Sequence, residues 1–163
     1  MIFNLNRFSD VEILSQGLND RTKVLGITTG TFDLFHEMHR SFLERCRRKC
    51  DHLIVGVDSD DLVKQVKGPN RPVIPETARV SLVASLECVS AAFILSDLDE
   101  LHSLFGLIEI NVFFRNQDWK GKESSVIKGI FTEVVIIPDA VMSNSTTEII
   151  RKILEKNSDP KRT

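Results

Sequence analysis

Two histidines three residues apart, His36 and His39, close the segment Gly30-Thr31-Phe32-Asp33-Leu34-Phe35-His36-Glu37-Met38-His39. Residues at i and i+3 share a helix face. A helix start also offers free N–H groups and the positive end of the dipole, so it favours phosphate. Two imidazoles placed there can donate hydrogen bonds to phosphate oxygens, and Gly30 lets backbone come close to a ligand. The zinc-protease pattern, His-Glu-x-x-His, needs a spacing of four. The pair therefore points to phosphate rather than metal. The bland reading is two surface histidines at a helix cap.

Two further segments carry the same kind of chemistry. Between Lys64 and Arg79 a Gly/Pro/Asn-rich loop is expected, Lys67-Gly68-Pro69-Asn70-Arg71-Pro72-Val73-Ile74-Pro75 at its centre. It brings four cations, Lys64, Lys67, Arg71 and Arg79, and lysine is a flexible point donor suited to a triphosphate. Near the end, Ser145-Thr146-Thr147-Glu148 opens a helix with three consecutive hydroxyl residues. One is explained as a cap; three also suit phosphate.

These segments must be carried by a framework, and the hydrophobic pattern supplies one. Short β-rich runs are expected as strands at 23–28, 52–58, 91–95, 111–114 and 133–137. Helical patterns lie between them at 37–49, 76–88 and 98–107, with a last helix from Ser145 to about Glu155. In the first of these, Phe42, Leu43 and Cys46 should face inward. Regular alternation calls for a single Rossmann-like, doubly wound α/β domain, a parallel five-stranded sheet with helices on both faces. Ligands of such sheets bind beyond the carboxyl ends of the strands, near the switch point, which is where the loaded loops fall. A helical lead-in is expected over 1–22, with Val11, Ile13, Leu14 and Leu18 as its stripe, the main domain over 23–156, and a frayed polar tail over 157–163.

Composition narrows the function. The chain has 163 residues, 42% apolar and 27% charged, with a net charge of -2; that suits one globular domain and gives no basic field for nucleic acid. The short cluster Arg45, Arg47, Arg48, Lys49 fits the last turn of a helix, where cations suit the dipole. Cys46, Cys50 and Cys88 show no metal-ligand spacing and read as buried thiols. No apolar run is long enough to span a bilayer and no signal peptide is visible, so a cytoplasmic protein without membrane attachment is expected. The first strand-to-helix turn lacks Gly-x-Gly-x-x-Gly, which sets aside a dinucleotide-binding dehydrogenase.

Taken in order, Gly-Thr-Phe-Asp with His36 and His39, the lysine loop, and the late Ser-Thr-Thr resemble the cytidylyltransferase-like nucleotidyltransferase superfamily over about residues 23–153. Two branches compete. The stretch 66–75, Arg79 beyond it, the N-terminal segment and Ser145–Ile150 look like heptose 1-phosphate adenylyltransferase. Gly30–Asp33 and Asp118-Trp119-Lys120-Gly121-Lys122 look like glycerol-3-phosphate cytidylyltransferase. That enzyme carries an arginine before its Ser-Thr-Thr; residues 139–144 here have none, so the ATP-using branch is favoured. The chain departs from the family at Met38, where glycine separates the histidines, and at Arg115-Asn116-Gln117, where both branches place glycine.

The resemblance implies nucleotidyl transfer. The acceptor phosphate attacks the α-phosphorus of a nucleoside triphosphate, and pyrophosphate leaves. His36, His39 and Lys67 would stabilise the reacting phosphates; Ser145, Thr146 and Thr147 would hold the β/γ end. Gly30, Thr31 and Phe32 would line the nucleotide cleft, with Asp33 and Asp118 beside the nucleotide or acceptor. Arg79 is a candidate ligand of the acceptor phosphate. Mg²⁺ would arrive on the triphosphate. A homodimer is implied, and the apolar run Leu104–Ile108 would serve either it or the core. The competing expectation is a regulatory homologue that holds a nucleotide without turning it over, its geometry spoiled by Met38 and Asn116-Gln117.

Overall fold

A computed structural model of the chain describes residues 1–2, 20, 22–122, 132–138 and 145–157. Five strands, β1 (Leu25–Gly30), β2 (His52–Asp58), β3 (Ala91–Leu95), β4 (Val112–Asn116) and β5 (Glu133–Ile137), form one sheet. Every neighbouring pair is parallel and the order is β3-β2-β1-β4-β5. The doubly wound α/β expectation holds. Order reverses between β1 and β4, so the ligand crevice falls where these two strands end. Relative to the sequence reading, β1 and β4 each run two residues further toward that edge.

Among the described residues, four α-helices lie between the strands, α1 (Glu37–Arg47), α2 (Asp60–Lys67), α3 (Glu76–Ala84) and α4 (Leu98–Leu107), and α5 (Thr146–Asn157) follows β5. On one face, Leu101 and Leu104 of α4 pack on Leu25, Ile27, Ile54, Phe93 and Phe113. On the other, Leu43 and Cys46 of α1 and Val80 and Val83 of α3 pack on Leu53, Val55, Val57 and Phe114, with Phe42 half-buried against them. In the run considered for a dimer, Leu104 and Ile108 are core residues and Phe105 packs partly against them, while Gly106 and Leu107 are exposed. At Gly26 a Cβ atom would meet the Phe114 ring at 2.5 Å and the Cys50 sulfur at 2.9 Å, which leaves room for glycine alone at this seam of β1.

Three larger differences from expectation concern the helices and the amino end. The loop expected from Lys64 is partly helix: Ser59 Oγ accepts from Leu62 N at 3.2 Å and caps α2. Acidic Asp60 and Asp61 sit in its first turn and Lys64 and Lys67 in its last, matching the dipole. Helix α3 stops at Ala84, where Ser85 turns its hydroxyl onto Leu82 O. At the amino end, Ile2 bridges Ala92 of β3 in parallel and Met1 O accepts from Ala92 N at 2.8 Å, so residues 1–2 extend the sheet rather than a helix. The Val11–Leu18 stripe and the tail from 158 lie outside the described residues. Among the described residues no helix is long and apolar enough to cross a membrane.

Candidate active site

The β1–α1 turn is built on left-handed backbone at two non-glycine residues, Phe32 (φ 51°) and Leu34 (φ 46°). Such residues persist only where their surroundings over-determine them, and Asp33 between them is what does so. Its side chain is 1% exposed. Its carboxylate accepts from Arg71 Nε at 2.8 Å, from Val73 N at 3.0 and 3.1 Å, from Ile74 N at 2.9 Å and from its neighbour Leu34 N at 3.1 Å. Burial alone would raise its pKa, but the Val73 and Ile74 amides and the Arg71 guanidinium outweigh it and hold the carboxyl below its ordinary value. Asp33 thus latches the 68–75 loop to the exit of β1, with its oxygens spent on the protein.

Arg79 plays a similar part. It is 1% exposed. Its guanidinium donates to Ile74 O, Thr31 O and Asp60 Oδ1. Asp60 and Glu76 in turn cap each other's helices, Asp60 N to Glu76 Oε2 at 2.6 Å and Glu76 N to Asp60 Oδ1 at 2.9 Å. The side chain expected to meet an acceptor phosphate is therefore a buried brace between α2, α3 and β1.

Beyond the latch, two helix starts converge. Thr146, the first residue of α5, donates its hydroxyl to Asp33 O at 3.0 Å, and the same oxygen lies 3.3 Å from His36 Nε2. Because the single hydroxyl proton goes to the carbonyl, the imidazole is the donor in that second contact. His36 and His39 stack with ring centroids 3.9 Å apart. His39 rests on Phe32 and Phe35 at 5.5 and 5.4 Å, and its Nδ1 accepts from His36 N at 3.4 Å. That bond leaves Nε2–H as the outward donor of a neutral ring. Burial lowers the pKa of both; for His39, burial first and then the repulsion of His36 and Lys67 push it down to about 3. Lys67 closes α2 nearby. The crevice desolvates its ammonium and Arg71 repels it, lowering its pKa, while Asp58 and Asp33 pull it back.

The remaining sequence candidates divide. Ser145 is exposed and caps α5, its Oγ accepting from Glu148 N at 3.3 Å; Thr147 is exposed beside it. Thr31 donates to Asp58 Oδ2 at 3.1 Å. Phe32 is buried beneath His39, and Gly30 makes room for its ring, which a Cβ there would meet at 3.2 Å. Asp118 stands in a 3₁₀ turn, Gln117–Trp119, after β4 and accepts from Asn116 Nδ2 at 3.0 Å. Met38 does not fill the groove it faces; with Ile149 and Ile153 of α5 it lines a cavity of about 400 Å³ beside His36. Residues 139–144 lie outside the described part. The reading from sequence passed over Arg115, at the carboxyl end of β4, as a ligand candidate. An arginine closing a buried strand at the switch point was the sign to follow.

Placed at one edge, two helix dipoles, two neutral imidazoles and a lysine make a cradle for a polyanion. A cradle of this kind suits a nucleotide's phosphates. Compared with known proteins, residues 27–158 match the Cytidylyltransferase-like family, and the chain belongs to it. It is 35% identical to the bifunctional protein HldE of a Nitratiruptor species across 90% of this chain and 31% of that one. It is 37% identical to the HldE of Campylobacter fetus subsp. fetus across 80% and 28%. The chain thus spans about a third of the length of these relatives. Its fold matches a lipopolysaccharide core biosynthesis protein of Thermoplasma volcanium, with a TM-score of 0.61 and 20% identity over 74% of this chain and 99% of that one.

Proposed function

We propose that the chain transfers a nucleoside monophosphate from a triphosphate, ATP in preference to CTP, to a sugar or polyol phosphate such as heptose 1-phosphate or glycerol 3-phosphate. The observation that carries this is the meeting of the α1 and α5 starts through His36 and Thr146, next to His39 and Lys67. Such a site serves one reaction well. An oxygen of the acceptor phosphate bonds to the α-phosphorus, the bond to the bridging oxygen of the β-phosphate breaks, and pyrophosphate leaves with the electron pair. A phosphate monoester is already anionic at neutral pH, so no strong base is required; rate comes from placement and from donors aimed at developing charge.

In this reading His39 donates through Nε2–H to the reacting phosphate, and Lys67 neutralises α- and β-oxygens. Thr146, Thr147 and the amides behind them receive the β/γ end. Asp118 would meet the nucleoside. Mg²⁺ would arrive on the triphosphate and keep most of its waters. The preference for ATP and a heptose phosphate rests on the sequence resemblance and on relatedness to the HldE proteins.

A pyrophosphate-release screen of the four triphosphates against heptose 1-phosphate and glycerol 3-phosphate tests the proposal. ATP with heptose 1-phosphate is expected to give the highest rate. Thermal stabilisation by a triphosphate without pyrophosphate release from any pair would replace this reading with that of a nucleotide-holding regulatory protein.

A further inference from the structure

Arg115 is 8% exposed. Its guanidinium carbon sits 4.4 Å from the ring centroids of both Phe113 and Trp119, clamped between them. Nη1 donates to Thr29 Oγ1 at 3.0 Å, whereas Nε has no hydrogen-bond partner among the described residues. Burial pushes its pKa down to about 10, against the attraction of Asp58. A buried guanidinium with donors to spare is costly unless something answers it. This one lies on the β1/β4 seam: Thr28 pairs with Phe114 there, and the next residue of each strand, Thr29 and Arg115, meet above it.

Its side of the sheet matters. His39 rests on Phe32 and Phe35, which belong to the α1 face, and His36 stacks on His39. Arg115 rests on Phe113 and Trp119, which belong to the α4 face. Displacement at phosphorus puts entering and leaving oxygens roughly in line on opposite sides. With pyrophosphate departing toward the helix starts on the α1 side, the acceptor enters from the α4 side. Arg79 is committed to carbonyls and Asp60, and Arg71 to Asp33. We propose that Arg115 anchors the acceptor's phosphate, its fork held flat by Phe113 and Trp119 for a two-point contact. The assignment rests on the nucleotidyl-transfer reading and adds to it the residue that selects a phosphorylated acceptor.

The chain has one tryptophan and no tyrosine, so its intrinsic fluorescence reports on Trp119, in direct contact with the anchor. The test uses R115M, which keeps length and apolar stem, and R115K, which keeps the charge and loses the fork. With whichever acceptor turns over, R115M is expected to raise the acceptor KM at least tenfold and R115K by a smaller factor, with the triphosphate KM within twofold of wild type. Titration with glycerol 3-phosphate should give a saturable Trp119 response in the wild type that R115M lacks. A raised triphosphate KM with unchanged acceptor KM would overturn the assignment, as would unchanged constants in both folded variants. Should R115M not fold, R115K alone decides by the same two constants. If the wild type releases no pyrophosphate with any pair, the reading beneath fails. The fluorescence titration then judges the anchor by itself: a wild-type response weakened in either folded variant upholds it, and no response, or the same response in all, ends it.

Discussion

His39→Ala should lower kcat/KM for nucleotidyl transfer by about 10²–10³, the usual loss when one oriented donor to a developing charge is removed. The reason lies in how the ring is held. Phe32 and Phe35 support it, His36 stacks on it, and the His36 N–H fixes Nδ1 as the acceptor. A donor locked in this way needs no reorganisation as the transition state forms. With its pKa depressed to about 3, His39 works as a neutral imidazole, so its contribution should be flat across pH 6–9. The same depression has a consequence for stability. The unfolded chain takes up a proton below about pH 6.5 that the folded ring refuses, so stability is full above that pH and declines as pH falls toward 3. His39→Ala should lose this part of the acid dependence. Steady-state kinetics and melting curves at several pH values check both results; normal turnover would remove His39 from the site.

The second large effect belongs to Asp33, and it should appear in stability as much as in rate. Asp33→Ala leaves Arg71 and the Val73 and Ile74 amides facing a buried void. Breaking a buried ion pair by removing one partner costs about 3–5 kcal/mol. For a domain of this size that is a fall of roughly 10 °C in Tm. Asp33→Asn keeps the shape but turns an N–H₂ group toward donors, so it should destabilise nearly as much. The triphosphate KM should rise in both, because the released loop follows Lys67 directly in the chain. Thermal melts decide the role: a variant as stable as wild type that loses only nucleotide affinity would return Asp33 to direct ligand contact.

Asp33 also shows where reading from sequence reaches its limit. The strands were legible because parallel strands buried on both faces appear as unbroken apolar runs, Leu53 to Val57 among them. The position of the site followed from topology, since the loaded loops fall after β1, α2 and β5 at one edge. Helix α2 was not legible. It is eight residues long with Val63 as its buried residue, so it offers no apolar stripe, and the glycine and prolines after it dominate the local composition. The roles of Asp33 and Arg79 were hidden for another reason. A carboxylate or guanidinium beside a phosphate loop looks the same in one dimension whether it meets substrate or a carbonyl 48 residues away, as Arg79 meets Thr31 O. Burial separates the two cases, and burial is a tertiary property. Met38 is similar: that it shares a cavity wall with Ile149 and Ile153, more than a hundred residues further along the chain, is again a tertiary fact.

A crystal structure with a non-hydrolysable triphosphate, the α,β-methylene analogue of ATP, tests the convergence at the switch-point edge most directly. The phosphates are predicted to lie between the α1 and α5 starts, with the His39 ring, the Lys67 ammonium and the Thr146–Thr147 amides each about 3 Å from a phosphate oxygen. Phosphates bound away from these groups, or bound with His39 and Lys67 on no common ligand, would contradict it.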